Sequence, residues 1–348
     1  MTSEEEAPAT LASVAASAGV SIATVSKVLN GRADVGPETR ARVQTLLKEH
    51  EYSGRRAESG LTLAARPTVE LVFHGRLSGY SVEILQGVLD AATEAGVTVA
   101  LSVRPRQLSS AGVERPAAWV RQLAKAGRRA VIDVVDDVRQ GDLAALSRAG
   151  LPLVVIDPLN LPRRQVTSVG ATNFVGGLAA TEHLLSLGHR LVAYLGVGAT
   201  FAYNQARMHG YRAALEAAGV DVPEGYVRSG TSHHQAGLAG GTTLLDLAQR
   251  PTAIVAATDE VAAGVFEAAR LKALRVPDDL SVVGFDDTDV ARLLSPPLTT
   301  VRQPLREMGR VALRSALRLA AGEELDSHHV ELATELVVRS STAPPPPS

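Results

Sequence analysis

The side chains of this sequence that could do chemistry are polar residues that come directly after runs of apolar residues. Such runs are typical of strands in a parallel sheet, and ligands bind where the carboxyl ends of those strands meet. Four of the runs are followed by His74, Asp157, Thr258 with Asp259, and Asp286 with Asp287. Arg207 opens a helical segment soon after a fifth run, "LVAYLGV". Carboxylates with a guanidinium and a hydroxyl can make several hydrogen bonds to a polyhydroxylated ligand, so this set predicts a cleft for a sugar.

Other groups of reactive side chains suit a site less well. The aspartates of "DDTD" lack the spaced oxygen ligands and turn glycine of a calcium loop, and capping or solvated-loop roles suit Asp287 and Asp289 better. Adjacent histidines, as in "SHHQ" and "SHHV", rarely face one metal ion. The segment "GVGATF" lacks the third glycine of a dinucleotide fingerprint, and no Ser-His-Asp or paired-carboxylate pattern stands out. We therefore predict no metal, no cofactor and no catalysis.

The residues of the predicted cleft must be positioned by the segment from about 68 to 340, where short β-rich runs alternate with helical segments. The runs are "VELVFH", "VTVALSV", "AVIDVV", "LPLVVID", "LVAYLGV", "TAIVAAT" and "LSVVGFDD". This alternation predicts a parallel α/β architecture, and its length favours two doubly wound lobes over a single sheet. The Pro-rich end, "STAPPPPS" at 341–348, is predicted to be a disordered tail.

The N-terminal segment, residues 10–52, carries helical signals only. It reads as "TLASVAASAG", a turn, "SIATVSKVLN" and then "PETRARVQTLLKEH". Thr10 and Ser21 suit helix N-caps, and Gly19 suits the end of the first helix. Apolar residues recur at spacings of three and four, so three helices can share a core, with the first two forming a helix-turn-helix. A plain three-helix scaffold with solvated Ser and Thr is the alternative interpretation.

The second of these helices is nearly uncharged, which suits a helix that enters the major groove of DNA. Ile22 and Ala23 could contact thymine methyl groups, and Lys27 could reach guanine acceptors. The side chains suited to phosphate oxygens are Ser21, Thr24, Ser26 and Asn30, and the predicted DNA-binding set also includes Thr10 and Thr39. Residues 9–66 hold eight basic and five acidic side chains in a chain of net charge −2, so only a small local positive charge supports DNA binding.

The segment 10–43 resembles the DNA-binding head of the LacI/GalR family of bacterial repressors. The family's pattern is T-hydrophobic-x-x-V-A-x-x-A-G-V-S-x-x-T-V-S-[RK]-V-[LV]-N, and every fixed position is met here. The resemblance continues in "ATEHLLSLGHR", "ARMHGYRAAL", "LSVVGFDD" and "PPLTTVRQP". It implies a two-lobed core like that of type I periplasmic binding proteins, and base-reading positions for Ile22, Ala23 and Lys27.

Residues 53–67 are predicted to be a hinge or linker, and they depart from the family's pattern. A Tyr-x-Pro-Asn start usually leads into a short helix, N-x-x-A-x-x-L, that forms on DNA and inserts its Leu into the minor groove. Tyr52 and Leu61 keep their places, but Gly60 should cost about 1 kcal/mol of helix stability. The replaced positions are Gly54 for Pro, Arg55 for Asn and Glu58 for Ala. We expect Arg55 and Arg56 to contact phosphates and Leu61 to kink the central base step.

The resemblance also implies roles for residues of the predicted cleft. Arg207 in "ARMHGY" and Asp286, the first acid of "GFDD", match the family's commonest effector ligands. Thr258 replaces the more usual Asn of "ND", which keeps a polar contact but changes its geometry. Further candidates are His74, Tyr80 and Asp157. The family's aromatic residue after "GD" is absent from "GTSHHQAG", so either the effector is smaller or His233 serves as its platform.

The composition of the chain restricts the cellular compartment and the kinds of chemistry that we expect for the protein. The chain has no cysteine, which excludes disulfides, zinc fingers and cysteine nucleophiles. It begins "MTSEEEAPAT", unlike a secretory signal, and no apolar run approaches the length of a membrane span. These features predict a soluble, cytoplasmic protein, with residues 1–9 disordered.

The combined features predict a homodimeric, sequence-specific DNA-binding transcriptional regulator. We expect a repressor of carbohydrate-use genes that reads a pseudo-palindromic operator and is released when a sugar binds between the lobes. An effector-dependent activator and a solute-binding protein of the same fold are the alternatives. An enzyme with a doubly wound fold is disfavoured because no catalytic constellation stands out, and no membrane partner is expected.

Overall fold

The structure is a computed structural model that describes residues 11–29, 35–49, 66–105, 116–135, 140–160, 166–230 and 233–347. Contacts within the chain divide it into two compact units, Met1–Ala65 and Arg66–Ser348. The first unit is helical where it is described, and the second alternates strands with helices.

The first unit contains three helices: α1 (Leu11–Ala18), α2 (Ile22–Leu29) and α3 (Pro37–Glu49). Gly19 follows α1 with a φ of +63°, the left-handed conformation that glycine adopts most readily. Val14, Val25 and Val43, one from each helix, are fully buried and form the centre of the core. The predicted three-helix core is therefore confirmed.

The second unit contains nine helices and twelve strands among its described residues. The helices are α4 (Gly79–Ala95), α5 (Pro116–Lys125), α6 (Gln140–Arg148), α7 (Asn173–Ser186), α8 (Ala202–Ala217), α9 (His233–Leu245), α10 (Asp259–Leu271), α11 (Asp289–Leu293) and α12 (Leu305–Ala320). The strands are β1 (Thr68–His74), β2 (Thr98–Arg104), β3 (Arg128–Val134), β4 (Leu153–Ile156), β5 (Thr167–Ala171), β6 (Val192–Val197), β7 (Val227–Gly230), β8 (Ala253–Ala256), β9 (Ser281–Asp286), β10 (Thr299–Arg302), β11 (His329–Leu332) and β12 (Glu335–Val337).

The strands form two six-stranded sheets, so the two predicted lobes are confirmed. The N-lobe sheet has the order β11-β5-β4-β3-β1-β2, and the C-lobe sheet has the order β12-β10-β9-β8-β6-β7. All pairings in the N-lobe sheet are parallel, whereas β12 pairs with β10 in the antiparallel direction. The central strands are continuous apolar runs because helices cover both faces of each sheet.

The chain passes between the lobes three times. It crosses from β5 to α7, from β10 to α12, which packs against α4 of the N-lobe, and from β11 to β12. Thr172 and Thr334 join two of these crossings, because the Thr334 amide donates to the Thr172 hydroxyl at 3.0 Å. The Thr172 amide in turn donates to the Leu332 carbonyl at 2.9 Å. The crossings therefore lie side by side and bring the carboxyl ends of both sheets to one cleft.

The C-terminal segment differs from its predicted disorder. Residues 341–347 lie against the C-lobe, and Ser341 is fully buried. The Ser341 hydroxyl donates to the Val282 carbonyl at 2.6 Å and accepts from the Thr299 amide at 2.8 Å. These hydrogen bonds to strand backbones hold the segment in place, and the proline content alone gave no sign of them.

Candidate functional site

Six of the seven predicted effector residues line one cleft between the lobes. The cleft contains about 750 Å³ of empty space, part of it open to solvent. The six residues, all at or just after strand ends or on the helices that follow them, are His74, Tyr80, Asp157, Arg207, Thr258 and Asp286. The side chain of the seventh, His233, lies outside the part of the chain that the structure describes.

Arg207 is the most constrained cation in the cleft, with 3% of its surface exposed. Its Nε donates to Asn173 Oδ1 at 2.8 Å, and its Nη1 donates to the Ala257 carbonyl at 2.5 Å. The guanidinium also lies 3.6 Å from the centre of the Phe285 ring. These contacts hold the guanidinium in a fixed orientation before a ligand arrives.

Close helix packing brings Arg207 to this position. A Cβ atom at Gly177 of α7 would stand 2.1 Å from the Arg207 backbone oxygen of α8. Only glycine allows the two helices to approach so closely, and the same approach puts Asn173, at the start of α7, beside the guanidinium.

Asp286 faces Arg207, with Oδ1 3.6 Å from the Arg207 Nη1. Gln303 Nε2 donates to the same carboxylate oxygen at 2.7 Å. Burial raises the pKa of Asp286 well above its usual value, although the charge of Arg207 opposes this rise. The carboxyl group thus lies in a dry site where a hydrogen bond from a ligand would be strong.

Asp157 and Tyr80 form a second polar pair in the cleft. The Tyr80 hydroxyl donates to Asp157 Oδ2 at 2.6 Å. Burial raises the pKa of Asp157, and burial together with the Asp157 charge raises that of Tyr80. Tyr80 therefore stays a hydrogen-bond donor at neutral pH and orients the carboxyl group.

Backbone strain accompanies these polar groups. Val135, Asp157 and Asp286 line the cleft with φ angles of +56°, +46° and +114°. Such angles are uncommon outside glycine, and for a β-branched residue such as Val135 they are a clear outlier. Strain of this kind concentrates at binding sites, where the surrounding structure compensates for its cost.

Thr258 lies in the cleft, but its hydroxyl also has a structural role. Thr258 is the N-cap of α10, and its Oγ1 accepts from the Val261 amide at 3.2 Å. The next residue, Asp259, is fully buried and accepts from the amide and hydroxyl of Thr288 and from the hydroxyl of Thr300. Burial raises the pKa of Asp259 to about 7, against the effect of these three hydrogen bonds. The cap thus fixes the Thr258 oxygen, and Asp259 anchors Thr288, another cleft residue.

The other aspartates of "DDTD" differ from one another. Asp287 is buried and pairs with Arg302 at 2.8 Å and with Arg339 at 2.6 Å, so the expected solvated-loop role does not apply to it. Asp289 has 82% of its side chain exposed, at the start of α11, as a solvated or capping residue would. Asp287 is buried between two arginines from other parts of the chain, whereas Asp289 contacts Arg292 of its own helix at 3.7 Å, and this explains the difference.

His74, at the end of β1, contacts a carboxylate that sequence analysis did not single out. Its Nε2 lies 2.7 Å from Oδ1 of Asp133 in β3, and both side chains are 8% exposed. His74 lines the cleft, and Asp133 is not among the lining residues that the structure describes.

The cleft also contains residues that sequence analysis missed. The additional lining side chains with aromatic, charged or hydroxyl groups are Phe73, Arg76, Ser78, Ser81, Tyr203, Glu260 and Thr288. Tyr203 lies one helical turn before Arg207, so the spacing of four in "YNQAR" was an available signal. Arg76 and Glu260 come from opposite lobes and approach to 3.8 Å, a contact that no local pattern contains.

The predicted base-reading residues lie together on the outer face of α2. Ile22 is 52% exposed, and Ala23 and Lys27 are also exposed, whereas Val25 and Val28 are buried on the opposite face. An apolar side chain this exposed at the start of a helix suits contact with a partner.

The residues predicted to contact phosphates are distributed around the same helix. The Ser21 hydroxyl accepts from the Thr24 amide at 3.2 Å, which confirms Ser21 as the cap of α2. Ser26 and Thr39 are half-buried. Five predicted DNA-binding residues lie outside the described segments: Thr10, Asn30, Arg55, Arg56 and Leu61. The hinge positions Gly54, Glu58 and Gly60 lie outside them as well.

The described segments contain neither a membrane-spanning helix nor a cluster of metal-ligating side chains. Every helix in them is too short or too polar to cross a membrane. No three histidine, aspartate or glutamate side chains in them are grouped as metal ligands would be.

A helix-turn-helix unit followed by a two-lobed, cleft-bearing α/β unit defines a class of ligand-responsive DNA-binding proteins. Residues 10–54 match the family described as bacterial regulatory proteins, lacI family, and residues 181–342 match a periplasmic binding protein-like domain. The HTH-type transcriptional regulator CelR of Thermobifida fusca is 35% identical over 95% of this chain and 98% of its own length. DegA of Bacillus subtilis is 31% identical over 96% of this chain and 98% of its own. The chain belongs to the LacI family of bacterial transcriptional regulators.

Solved structures agree with this assignment. A complex of the transcriptional regulator CelR with cellobiose has a TM-score of 0.70 and 33% identity, covering 96% of this chain and 99% of that one. The lac repressor dimer bound to operator and the anti-inducer ONPF also has a TM-score of 0.70, with 27% identity over 97% of this chain and 100% of that one. The predicted fold is therefore confirmed along nearly the whole chain.

Proposed function

We propose that this protein is a repressor of carbohydrate-use genes whose operator binding is relieved by a sugar in the interlobe cleft. The observation that supports this most is the pairing of oriented hydrogen-bond groups from both lobes in one cleft. Asp157 and Tyr80 face it from the N-lobe, and Arg207 and Asp286 face it from the C-lobe. A polyhydroxylated ligand can bridge the two pairs, because each hydroxyl can donate to a carboxylate or to the phenol oxygen and accept from the guanidinium.

The charges of the cleft favour a neutral sugar over a sugar phosphate. Its lining includes three carboxyl groups, from Asp157, Glu260 and Asp286, and two guanidinium groups, from Arg76 and Arg207. Arg207 is already engaged by Asp286, Asn173 and the Ala257 carbonyl. A phosphate only accepts hydrogen bonds, so the carboxylate oxygens would offer it no donor and, where ionised, would repel it.

Tyr203 is the residue best placed to be the aromatic platform for a sugar ring. It lines the cleft, and its ring centre lies 5.1 Å from the Arg207 guanidinium. A ring beside the cation that binds hydroxyls can support the apolar face of a pyranose. We assign to Tyr203 the platform role that sequence analysis offered to His233.

The relatives suggest which sugar to test first. CelR, of which a cellobiose complex is known, is similar to this chain over nearly its full length. We therefore propose a short β-linked oligosaccharide, with cellobiose as the first candidate.

DNA binding is assigned to the outer face of α2. Ile22, Ala23 and Lys27 read base edges, and the side chains of Ser21, Thr24, Ser26 and Asn30 contact phosphates, with Thr39 of α3 as a further DNA-binding residue. Two copies of the chain bind a pseudo-palindromic operator in the cytoplasm, because each unit reads one half-site. The protein acts by binding alone, without catalysis.

Control of the operator requires that the sugar prefer one arrangement of the lobes. The three crossings between the lobes can change their angle while each sheet stays intact. A sugar bound by both lobes favours the arrangement in which both sets of hydrogen bonds form, and thereby disfavours the DNA-binding arrangement of the dimer.

The test is operator binding measured by fluorescence anisotropy, on a palindromic site selected in vitro, with and without sugar. We expect cellobiose to weaken binding and glucose 6-phosphate to have no effect. Indifference to every neutral mono- and oligosaccharide would remove the proposed effector class, while selection of no DNA site at all would remove the proposed regulator.

A further inference from the structure

Asp133 is a buried carboxylate beside an apolar cluster of the N-lobe. It occupies the middle of the run "AVIDVV" in β3, and 5% of its surface is exposed. Its register partner on β1 is Val72, which packs with Val120 and Val131 between the sheet and helices α5 and α6. Burying a charge among such residues is costly unless it has a strong partner.

One partner of Asp133 is an effector-cleft residue. His74 lies two residues after Val72 on the same face of β1, and its Nε2 lies 2.7 Å from Asp133 Oδ1. Because a carboxylate only accepts hydrogen bonds, the Nε2 atom must carry the proton. A carboxylate behind an imidazole fixes both the plane of the ring and the position of its proton.

We propose that Asp133 is a positioning residue for effector binding: it holds the His74 ring at the cleft wall with a proton on Nε2. This role rests on the proposed binding of a sugar in the cleft. The contact with His74 explains why the apolar run "AVIDVV" contains an acid, Asp133, at a position next to a cleft residue.

The first experiment needs no sugar. Histidine ring nitrogens are observed by NMR in the ¹⁵N-labelled full-length protein, and the His74 signals are identified by their loss in His74→Gln. We expect the wild-type His74 to be protonated on Nε2. An unprotonated Nε2, with the ring proton on Nδ1 alone, would overturn the pairing, because Nε2 could not then donate a hydrogen bond to Asp133. This result does not depend on whether any variant of Asp133 folds.

The second experiment is a double-mutant cycle on cellobiose binding, measured by calorimetry. Asp133→Asn and His74→Gln should each weaken binding about tenfold, a hydrogen-bond-sized loss. If Asp133 acts through His74, the double variant should bind about as weakly as either single variant. If Asp133→Asn still costs tenfold in the His74→Gln background, Asp133 acts on the fold and the positioning role is wrong.

The two proposals fail in different ways. If wild-type protein does not bind cellobiose or any other neutral sugar, the proposed effector is wrong and so is the role of Asp133 in binding it. If wild-type protein binds sugar but the cycle is additive, only the positioning role is wrong.

Discussion

The outer face of α2 and the interlobe cleft differ in how far their side chains are exposed and held in place. On α2, Ile22 and Lys27 are exposed. In the cleft, Arg207 and Asp286 are buried and already engaged by Asn173, Gln303 and each other. A groove-binding helix must leave its groups open to water until DNA arrives, whereas a small-ligand site can orient its groups in advance. Substitutions on the outer face of α2 should therefore change DNA binding alone, and substitutions in the cleft should change both sugar binding and stability.

The largest effect is expected for Arg207→Ala. It removes the cation that we propose binds the ligand and leaves Asp286 buried without its charge partner, and breaking a buried ion pair costs about 3–5 kcal/mol. We expect sugar binding to fall at least about 100-fold and the free energy of unfolding to fall as well, while operator affinity persists at temperatures where the protein is folded. Calorimetry, denaturant unfolding and operator anisotropy measure the three quantities.

A normal response of Arg207→Ala to sugar would contradict the cleft assignment. The matched control is Arg212→Ala on the same helix, outside the cleft, which should bind sugar as the wild type does.

The free energy of unfolding should also depend on pH, because aspartates in and beside the cleft have raised pKa values. The pKa of Asp259 is raised from 3.8 to about 7 in the folded protein, so folding favours the protonated form. Its contribution to the free energy of unfolding is fully present below about pH 4 and is lost as pH rises towards about 7, by about 1.4 kcal/mol for each unit of pKa difference. Asp157 and Asp286, whose pKa values are also raised, act in the same direction.

Denaturant unfolding at about pH 5 and about pH 7.5 checks this prediction. Asp259→Asn cannot ionise, so its stability should fall less than that of the wild type between the two pH values. Asp289→Asn, at an exposed site on α11, should match the wild type. If the free energy of unfolding fell equally for Asp259→Asn and the wild type between the two pH values, Asp259 would not titrate in this range.

A smaller effect is expected on the DNA-binding face. Lys27→Ala removes one of the proposed contacts to base edges, so we expect operator affinity to fall by about 1–3 kcal/mol and the preference at one operator position to relax. Selection of sites in vitro with both proteins measures that preference. Lys272→Ala, on the C-lobe, serves as the control for the loss of one positive charge. An unchanged base preference in Lys27→Ala would place base reading elsewhere.

The smallest effect is expected for the cap of α10. Thr258→Ala removes an N-cap hydrogen bond and should cost about 1 kcal/mol of stability. Thr258→Ser keeps the oxygen and should restore most of that loss. If Thr258→Ala had wild-type stability in denaturant unfolding, the capping role inferred from the 3.2 Å contact with Val261 would be wrong.

Sequence analysis predicted the cleft residues because parallel strands place their carboxyl ends together, which brings His74 and Asp157 to one edge of the N-lobe sheet and Thr258 and Asp286 to one edge of the C-lobe sheet. It missed Asp133, although an acid inside an apolar run was visible in "AVIDVV". It could not find the approach of Arg76 to Glu260, because that contact depends on how the lobes meet.

Sequence analysis did not name β5, β7, β10, β11 and β12, which have three to five residues each. Residues in β11 and β12 are exposed or half-buried, and each strand pairs with a partner far away in the chain. Strands of three or four residues carry little periodic signal, and their pairing is decided by tertiary packing. The three helices of the first unit were predicted more completely because their caps and apolar spacing are local.

The measurement that tests the account most directly is operator binding by wild type, Lys27→Ala and Arg207→Ala, each with and without saturating cellobiose. The account predicts that sugar weakens operator binding by the wild type at least about tenfold, the size of a typical coupling between two sites. Lys27→Ala should bind operator less tightly but respond to sugar by the same factor, and Arg207→Ala should bind operator normally and not respond. If Arg207→Ala is released by cellobiose as the wild type is, the cleft between the lobes does not control DNA binding.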